Sequence, residues 1–330
     1  MRIAVVGLGS IGRRHVRVIR EVYPDAEIVA VRSGIGGAVP EDAMVSVTVR
    51  TVSEALARDP IGVIIASPAP FHVDQAIEAL CAGVPVLIEK PIAASLKDSR
   101  RLIEHPAIDE TAFSLSAVGY VLRHQPAFEF VQEILFADKL GDFRGARVEA
   151  HSFLPAWRPG QDYKESVSAL TELGGGVLRE LSHEIDYVLS LFGGCQKVLG
   201  WRNQHSGIEI DAEEHVELLL QHNNNAVSSI SLDFARDCPP RRELHAWFSA
   251  GVLTWSLLSN TVTVNYSEKP TTQHEFCIER DEMFTAQLSD FVQAVTKNHP
   301  PRCSLAEGIN VMSVINSLER SYSSQCWETL

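Results

Sequence analysis

The first residues of the chain set the strictest condition on its fold. A short apolar run, Ile3 to Val6, leads straight into Gly7-Leu8-Gly9-Ser10-Ile11-Gly12, and Ile11, Val18, Ile19 and Val22 then fall on one helical face. A strand feeding a helix through so short a turn needs glycine for three reasons: the turn itself, close backbone approach to a phosphate, and helix–strand packing. The helix start aims its amide groups and positive dipole end at that turn. The segment predicts the opening of a parallel sheet, with a dinucleotide against Gly7, Gly9, Ser10, Ile11 and Gly12.

The same alternation continues to about residue 120. Apolar runs at Ile28 to Val31, Val63 to Ala66, Val86 to Ile88 and Phe113 to Val118 read as strands covered on both faces. Ala76, Ile77 and Leu80 mark a crossover helix ending at Gly83. Right-handed crossovers bring the carboxyl ends of these strands to one edge, so Gly7, Ser67-Pro68 and Glu89 are expected along one crevice. His72 and Lys90 are expected beside it.

From residue 123 the pattern changes. A helix is expected at Pro126 to Phe136 and a strand at Ala146 to Phe153, followed by an irregular stretch from Leu154 to Thr171. A helix over Val177 to Phe192 precedes strand-like runs at Val198 to Trp201, His215 to Leu220, Ala226 to Leu232, Leu244 to Phe248, Val252 to Leu257 and Thr261 to Tyr266. Short turns such as Asn223-Asn224-Asn225 point to one antiparallel sheet. Helices near Met283 to Thr296 and Leu305 to Leu318 close the chain. The fold class expected is α/β, an N-terminal Rossmann doubly wound parallel sheet over 1–122, plus a C-terminal α+β domain with a large, mostly antiparallel sheet over 123–330.

Charge narrows the partners. With 42 acids against 29 Lys and Arg, the net charge of -13 offers no broad attraction to nucleic acid or anionic lipid, and a small-molecule partner is expected. Six cysteines, at 81, 195, 238, 277, 303 and 326, lie far apart and read as reduced thiols. His15, His72, His124, His151 and His245 are scattered without ligand spacing, so no metal is expected. No run is long and apolar enough to span a membrane, and a cytoplasmic protein is expected.

The end of the second strand bears on which dinucleotide binds. An acid about 20 residues past the glycine turn would accept the adenosine ribose hydroxyls of NAD. Here the strand ends Val31-Arg32-Ser33-Gly34. A guanidinium and a hydroxyl suit a 2′-phosphate, with Arg13 or Arg14 as helpers, so NADP is expected, with NAD the alternative. Arg32 stacking on adenine or pointing into solvent is the competing reading.

Three segments taken together resemble the glucose-fructose oxidoreductase/inositol dehydrogenase/rhizopine catabolism (Gfo/Idh/MocA) family. They are Glu89-Lys90-Pro91 after a strand, Gly119-Tyr120 followed by Arg123 and Pro126, and Gly174-Gly175-Gly176 ahead of His183-Glu184-Ile185-Asp186. The likeness covers nearly the whole chain. Trp157-Arg158-Pro159 through Asp162-Tyr163-Lys164-Glu165-Ser166 further resembles a branch associated with polysaccharide and nonulosonic-acid sugar biosynthesis.

The resemblance implies that Lys90 lies beside the nicotinamide, ahead of a cis peptide to Pro91, and touches the reacting hydroxyl. A positive donor there stabilises the alkoxide-like oxygen formed as hydride leaves its carbon. His183 is implied as the acid/base group, with Glu180 and Asp186 as partners three residues either side. Many members place an aspartate four residues before the histidine, where this chain has Arg179. On a single helical wheel Glu180, His183 and Asp186 lie opposite the apolar arc of Val177, Leu181, Ile185 and Val188, which serves a solvated face as well as a cleft. Tyr120, Arg123, Trp157, Arg158 and Tyr163, with His183, are implied near the substrate. Packing under a loop is the other reading of Trp157.

These expectations add up to an NAD(P)-dependent oxidoreductase acting on a secondary alcohol or ketone of a sugar, cyclitol or nucleotide sugar. A non-catalytic NAD(P)-binding sensor of the same fold is the alternative, as is a sugar isomerase or lyase using transient oxidation by bound cofactor. The broad sheet of the second domain points to a homodimer or homotetramer.

Overall fold

A computed structural model describes every residue except 35–36, 138, 161 and 204–206. The chain divides into two compact units, the first made of Met1–His124 with Glu279–Met312, the second of Gln125–Ile278 with Ser313–Leu330.

In the first unit, β1 (Arg2–Val6) passes through the glycine turn into α1 (Ser10–Val22), and β2 (Glu27–Val31) and β3 (Val47–Val49) follow. Next come α2 (Val52–Leu56), β4 (Gly62–Ile65), α3 (His72–Cys81), β5 (Val86–Ile88), α4 (Leu96–Glu104), α5 (Glu110–Ser114) and β6 (Ala117–Val118). The six strands pair in parallel in the order β3-β2-β1-β4-β5-β6. Strand order reverses between β1 and β4, the point at which such sheets open a ligand crevice beyond their carboxyl ends.

Two expectations change here. Asp109 accepts a hydrogen bond from the Ala112 N–H at 2.7 Å, and this cap turns the front of the anticipated strand Phe113 to Val118 into helix. The edge strand β3 is only three residues long and was not legible as a strand.

The second unit holds α6 (Pro126–Phe136), β7 (Phe143–His151), α7 (Val177–Glu180), α8 (His183–Phe192), β8 (Cys195–Asn203), β9 (His215–His222), β10 (Val227–Asp233), β11 (Arg241–Phe248), β12 (Gly251–Ser256), β13 (Thr261–Tyr266) and β14 (Thr272–Glu275). With β15 (Glu328–Thr329) these strands form one nine-stranded sheet in the order β14-β13-β12-β11-β7-β10-β9-β8-β15. It is antiparallel throughout except for the parallel pair β7–β10. The alternating burial of β9 and β11 shows why: one face of the sheet is packed, with Leu218, Leu220, Leu244 and Ala246 on it, and the other is open.

The remaining helices are α9 (Arg280–Lys297) and α10 (Leu305–Ser324). The expected single cut at 122/123 assigns all of α9 to the second domain, whereas the structure places it in the first unit. Phe284, Leu288, Phe291 and Val292 are buried in the same core as Ile3, Val5, Val16, Ile19 and Ile64. The Phe291 ring packs against Gly62, where a side chain would collide with it. Each such side chain removed from water stabilises by roughly 1.5–3 kcal/mol, which outweighs nearness in sequence. The boundary returns within α10, between Met312 and Ser313.

Candidate active site

The glycine turn is built as a phosphate cradle. Gly7 has φ +86, and a side chain on it would lie 2.9 Å from the Ala66 carbonyl and the Ser67 N–H. A side chain on Gly12 would run into the Gly7 carbonyl. Gly9 faces the other way: it caps α1 with no side-chain hydrogen bond and has nothing within 4 Å of where a side chain would start. The first turn of α1 contains no acid, and Gly9 and Ser10 are exposed. Unsatisfied amides, a positive helix end and open space are what a pyrophosphate needs, and the residues present fit it.

Lys90 is fixed to this cradle from both sides. Its peptide bond to Pro91 is cis. Before it, the buried Glu89 carboxylate meets Nε2 of buried His15 on α1 at 2.7 Å. After it, the Pro91 carbonyl lies 3.0 Å from Nδ1 of His72, whose Nε2 is 2.7 Å from the Ser67 carbonyl at the end of β4. Burial lowers the His72 pKa despite these two carbonyls and the nearby Glu89 charge. His72 and Glu89, both named from the sequence beside the dinucleotide, are buried, and their side chains bond across the strand ends. Ser67 bonds through its hydroxyl to Gln75 Oε1 at 2.7 Å, and Pro68 is exposed.

Other residues named from the sequence in this unit are packed or paired. Tyr120 is fully buried, and Arg123 is buried with its Nη1 donating to Glu307 Oε1 at 3.1 Å. Arg123 is tied in this way to the start of α10, and the turn that follows β6 packs on α9. Arg13, named as a phosphate helper, lies 3.9 Å from Glu41, and Arg14 pairs with Asp281 at 3.0 Å and sits over the Phe284 ring.

In the second unit the triple glycine folds for local reasons. Gly174 is left-handed, and a side chain on Gly175 would enter the carbonyls of Val167, Leu170 and Ser168. Gly176, at φ +111, leaves room for the Glu213 carboxylate, which accepts the Leu178 N–H at 3.2 Å at the start of α7. Burial pushes the Glu213 carboxyl up from its ordinary range, while its own backbone N–H and Arg179 pull it down.

The single helix expected over Val177 to Phe192 is broken. The Ser182 hydroxyl donates to the Arg179 carbonyl at 2.8 Å, competing with the helical ladder, and α8 restarts at His183. Glu180, His183 and Asp186 therefore do not share one helical face: Asp186 and Glu184 are buried, while His183 and Glu180 are partly exposed. Glu184 pairs with Arg242 Nε at 2.6 Å, and Arg179 pairs with Glu319 at 2.6 Å.

Trp157, Arg158 and Tyr163 come together. With Asp162, Glu165 and Ser168 they line a cavity of about 410 Å³ within this unit. One edge of Trp157 packs on Phe234, ring centroids 5.0 Å apart at 79°, and the ring is still 37% exposed. Packing and an open aromatic face coexist there. Gln161, within the same stretch, lies outside the described residues.

Glu213, Arg242, His15 and Glu319 were not found from sequence. Each acts across a separation of 35 or more residues, with no local spacing to mark it. Among the described residues no group of three metal-ligating side chains occurs, and no helix is long and apolar enough to cross a membrane.

A six-stranded parallel sheet with an open glycine cradle, joined to a unit built on a large mixed sheet, defines a nicotinamide-dinucleotide-binding oxidoreductase architecture. Family comparison agrees: a model of the oxidoreductase family with an NAD-binding Rossmann fold matches residues 1–114, and the GFO/IDH/MocA C-terminal domain matches residues 128–254. The chain belongs to the GFO/IDH/MocA family.

A 4-carboxy-2-hydroxymuconate-6-semialdehyde dehydrogenase of Sphingobium sp. (strain SYK-6) is 24% identical over 330 residues, 97% of this chain and 98% of its own. Inositol 2-dehydrogenase 1 of Saccharopolyspora erythraea is 33% identical over 167 residues, 47% of this chain and 49% of that protein. The solved WlbA dehydrogenase of Bordetella pertussis, in complex with NADH and UDP-GlcNAcA, has TM-score 0.81 at 20% identity, covering 100% of this chain and 98% of its own. At that identity it bears on the fold alone.

Proposed function

We propose that this chain moves a hydride between a nicotinamide dinucleotide and a secondary alcohol or ketone of a sugar, cyclitol or nucleotide sugar. The observation that carries the reading is the fixing of Lys90: His15 and His72 tie the residues on either side of it to α1 and to the end of β4, the two edges of the cradle. A lysine serving only solubility needs no such bracing.

When bound, the nicotinamide supplies the carbon that accepts or returns hydride. The Lys90 ammonium donates a hydrogen bond to the reacting oxygen and stabilises its negative charge. His183 takes the hydroxyl proton in the oxidative direction and returns it in the other, with Glu180 and Asp186 as its partners. The cavity beside Trp157, Arg158 and Tyr163 receives the sugar: the half-open indole packs on its C–H face, and Arg158 pairs with a carboxylate or phosphate. The inositol dehydrogenase relative, 33% identical over about half of the chain, supports a cyclitol within this range. We place the protein in the cytoplasm, as a homodimer or homotetramer.

Replacing Lys90 with Ala is expected to lower turnover by about a hundredfold or more while nucleotide affinity changes little. Steady-state rates, with inositols and uridine-linked sugars as substrates, read against fluorescence titration of the reduced dinucleotide, provide the check. Turnover in the variant equal to wild type rules out the role given to Lys90.

A further inference from the structure

The adenosine end of the cradle holds several guanidinium groups, and the structure sorts them. Arg32, the residue at the end of β2, donates from Nη1 to Asp42 Oδ1 at 2.7 Å and from Nη2 to the Gly37 carbonyl at 2.5 Å. The second oxygen of Asp42 accepts the Val39 N–H at 2.9 Å. That N–H and the Arg32 charge together hold the Asp42 carboxyl below its usual range. Arg32 is thus neutralised and occupied in shaping its own turn, beside a carboxylate that repels phosphate. Arg13 and Arg17 share Glu41, and Arg14 has Asp281.

Arg50 differs. It follows β3, the neighbour of β2, with Val49 opposite Val31. Its Nη1 donates to the Ser33 carbonyl at 3.1 Å, and its guanidinium covers Gly34, where a side chain would run into it. Gly34 has φ +85, a backbone conformation that favours glycine, and the guanidinium lies over it. Arg50, Ser33 and Gly34 are all exposed, and no carboxylate of the described residues forms an ion pair with Arg50. A guanidinium has five donors, and one carbonyl uses only part of that capacity.

The turn after β2 is where the adenosine ribose of a bound dinucleotide lies. We propose that Arg50, together with the Ser33 hydroxyl, reads the ribose 2′-phosphate, and that Arg32 is a structural partner of Asp42. This makes the chain selective for NADP(H), and it rests on the reading of the first unit as a dinucleotide cradle.

The test is binding by the full chain, measured by fluorescence titration with NADPH and NADH and by calorimetry with 2′,5′-ADP and 5′-AMP. Wild type is expected to bind the 2′-phosphorylated member of each pair at least about tenfold tighter. Arg50→Gln removes that roughly tenfold difference, which is about what a charge-assisted bond is worth, and changes NADH affinity less than about twofold. Arg32→Gln weakens both members alike, and thermal melting checks that each variant folds. Equal or tighter binding of NADH by wild type overturns the proposal, as does loss of selectivity in Arg32→Gln but not in Arg50→Gln. Failure of wild type to bind NADH, NADPH and 5′-AMP alike removes the cradle reading itself, and the proposal with it.

Discussion

His124, in the short turn that follows Tyr120, shows how a residue without a role in chemistry sets a measurable property. It is buried, and burial, with Arg302 and Arg123 nearby, lowers its pKa to about 3. In the unfolded chain the same imidazole binds a proton near its ordinary pKa of about 6.5. Below that pH the unfolded state therefore holds more protons than the folded one, and stability present above it is lost as pH falls toward the folded value. We expect the chain to lose up to about 1.4 kcal/mol per pH unit from this group between pH 6.5 and 5. Urea unfolding across that range gives the slope, and His124→Gln should flatten it; His72, shifted in the same direction, leaves a residual.

At this scale the sequence marked Lys90, His183 and the glycine turn by type and position. It did not show that the side chains of His72, Glu89 and Arg123 bond within the fold or that Tyr120 is fully buried, because those partners meet only in three dimensions.

Among the elements, α8 bears on the proposed chemistry, since His183, proposed above as the acid/base group, begins it. Its second residue, Glu184, is fully buried and bonded to Arg242 of β11, so an ion pair under the sheet fixes the start of the helix. Tyr187 and Trp255 lie close by, with ring centroids 5.4 Å apart, and burial and the Glu184 charge push the Tyr187 hydroxyl well above its ordinary pKa. Arg242→Met leaves a carboxylate buried without its countercharge and is expected to cost roughly 3 kcal/mol. Chemical denaturation of that variant and of Glu184→Gln/Arg242→Met decides the cause: the double variant should recover most of the loss, and equal destabilisation of both would show that packing rather than charge holds α8.

Most elements were legible from period and caps, α6 and β13 with the same bounds as observed. The break between α7 and α8 was not. It depends on a serine hydroxyl competing for one carbonyl, and apolar spacing does not register that competition.

Over the whole molecule, the open face of the nine-stranded sheet carries a row that crosses four strands. Val252 is opposite Trp247, Trp247 opposite Gly145, and Gly145 opposite Val227. Trp247, Val252 and Val227 are all exposed, and Gly145 lets the indole lie across the strand. An apolar row on a broad sheet face suits a second copy of the same surface, as the proposed homo-oligomer requires. Trp247→Glu is expected to shift the species seen by light scattering toward monomer without changing the far-ultraviolet spectrum. An unchanged mass places the interface elsewhere.

By itself the sequence determined the parallel sheet, the glycine turn that opens it and the mostly antiparallel second sheet. Each of these is written in local period, in turn chemistry or in a short motif. Tertiary structure alone decided that α9 belongs with the first unit, that His15 and His72 bond to the residues flanking Lys90, and that Arg32 is matched by Asp42 while Arg50 lies over the Ser33 turn. Those outcomes depend on which buried faces and charges meet across long separations, and no window along the chain contains both partners.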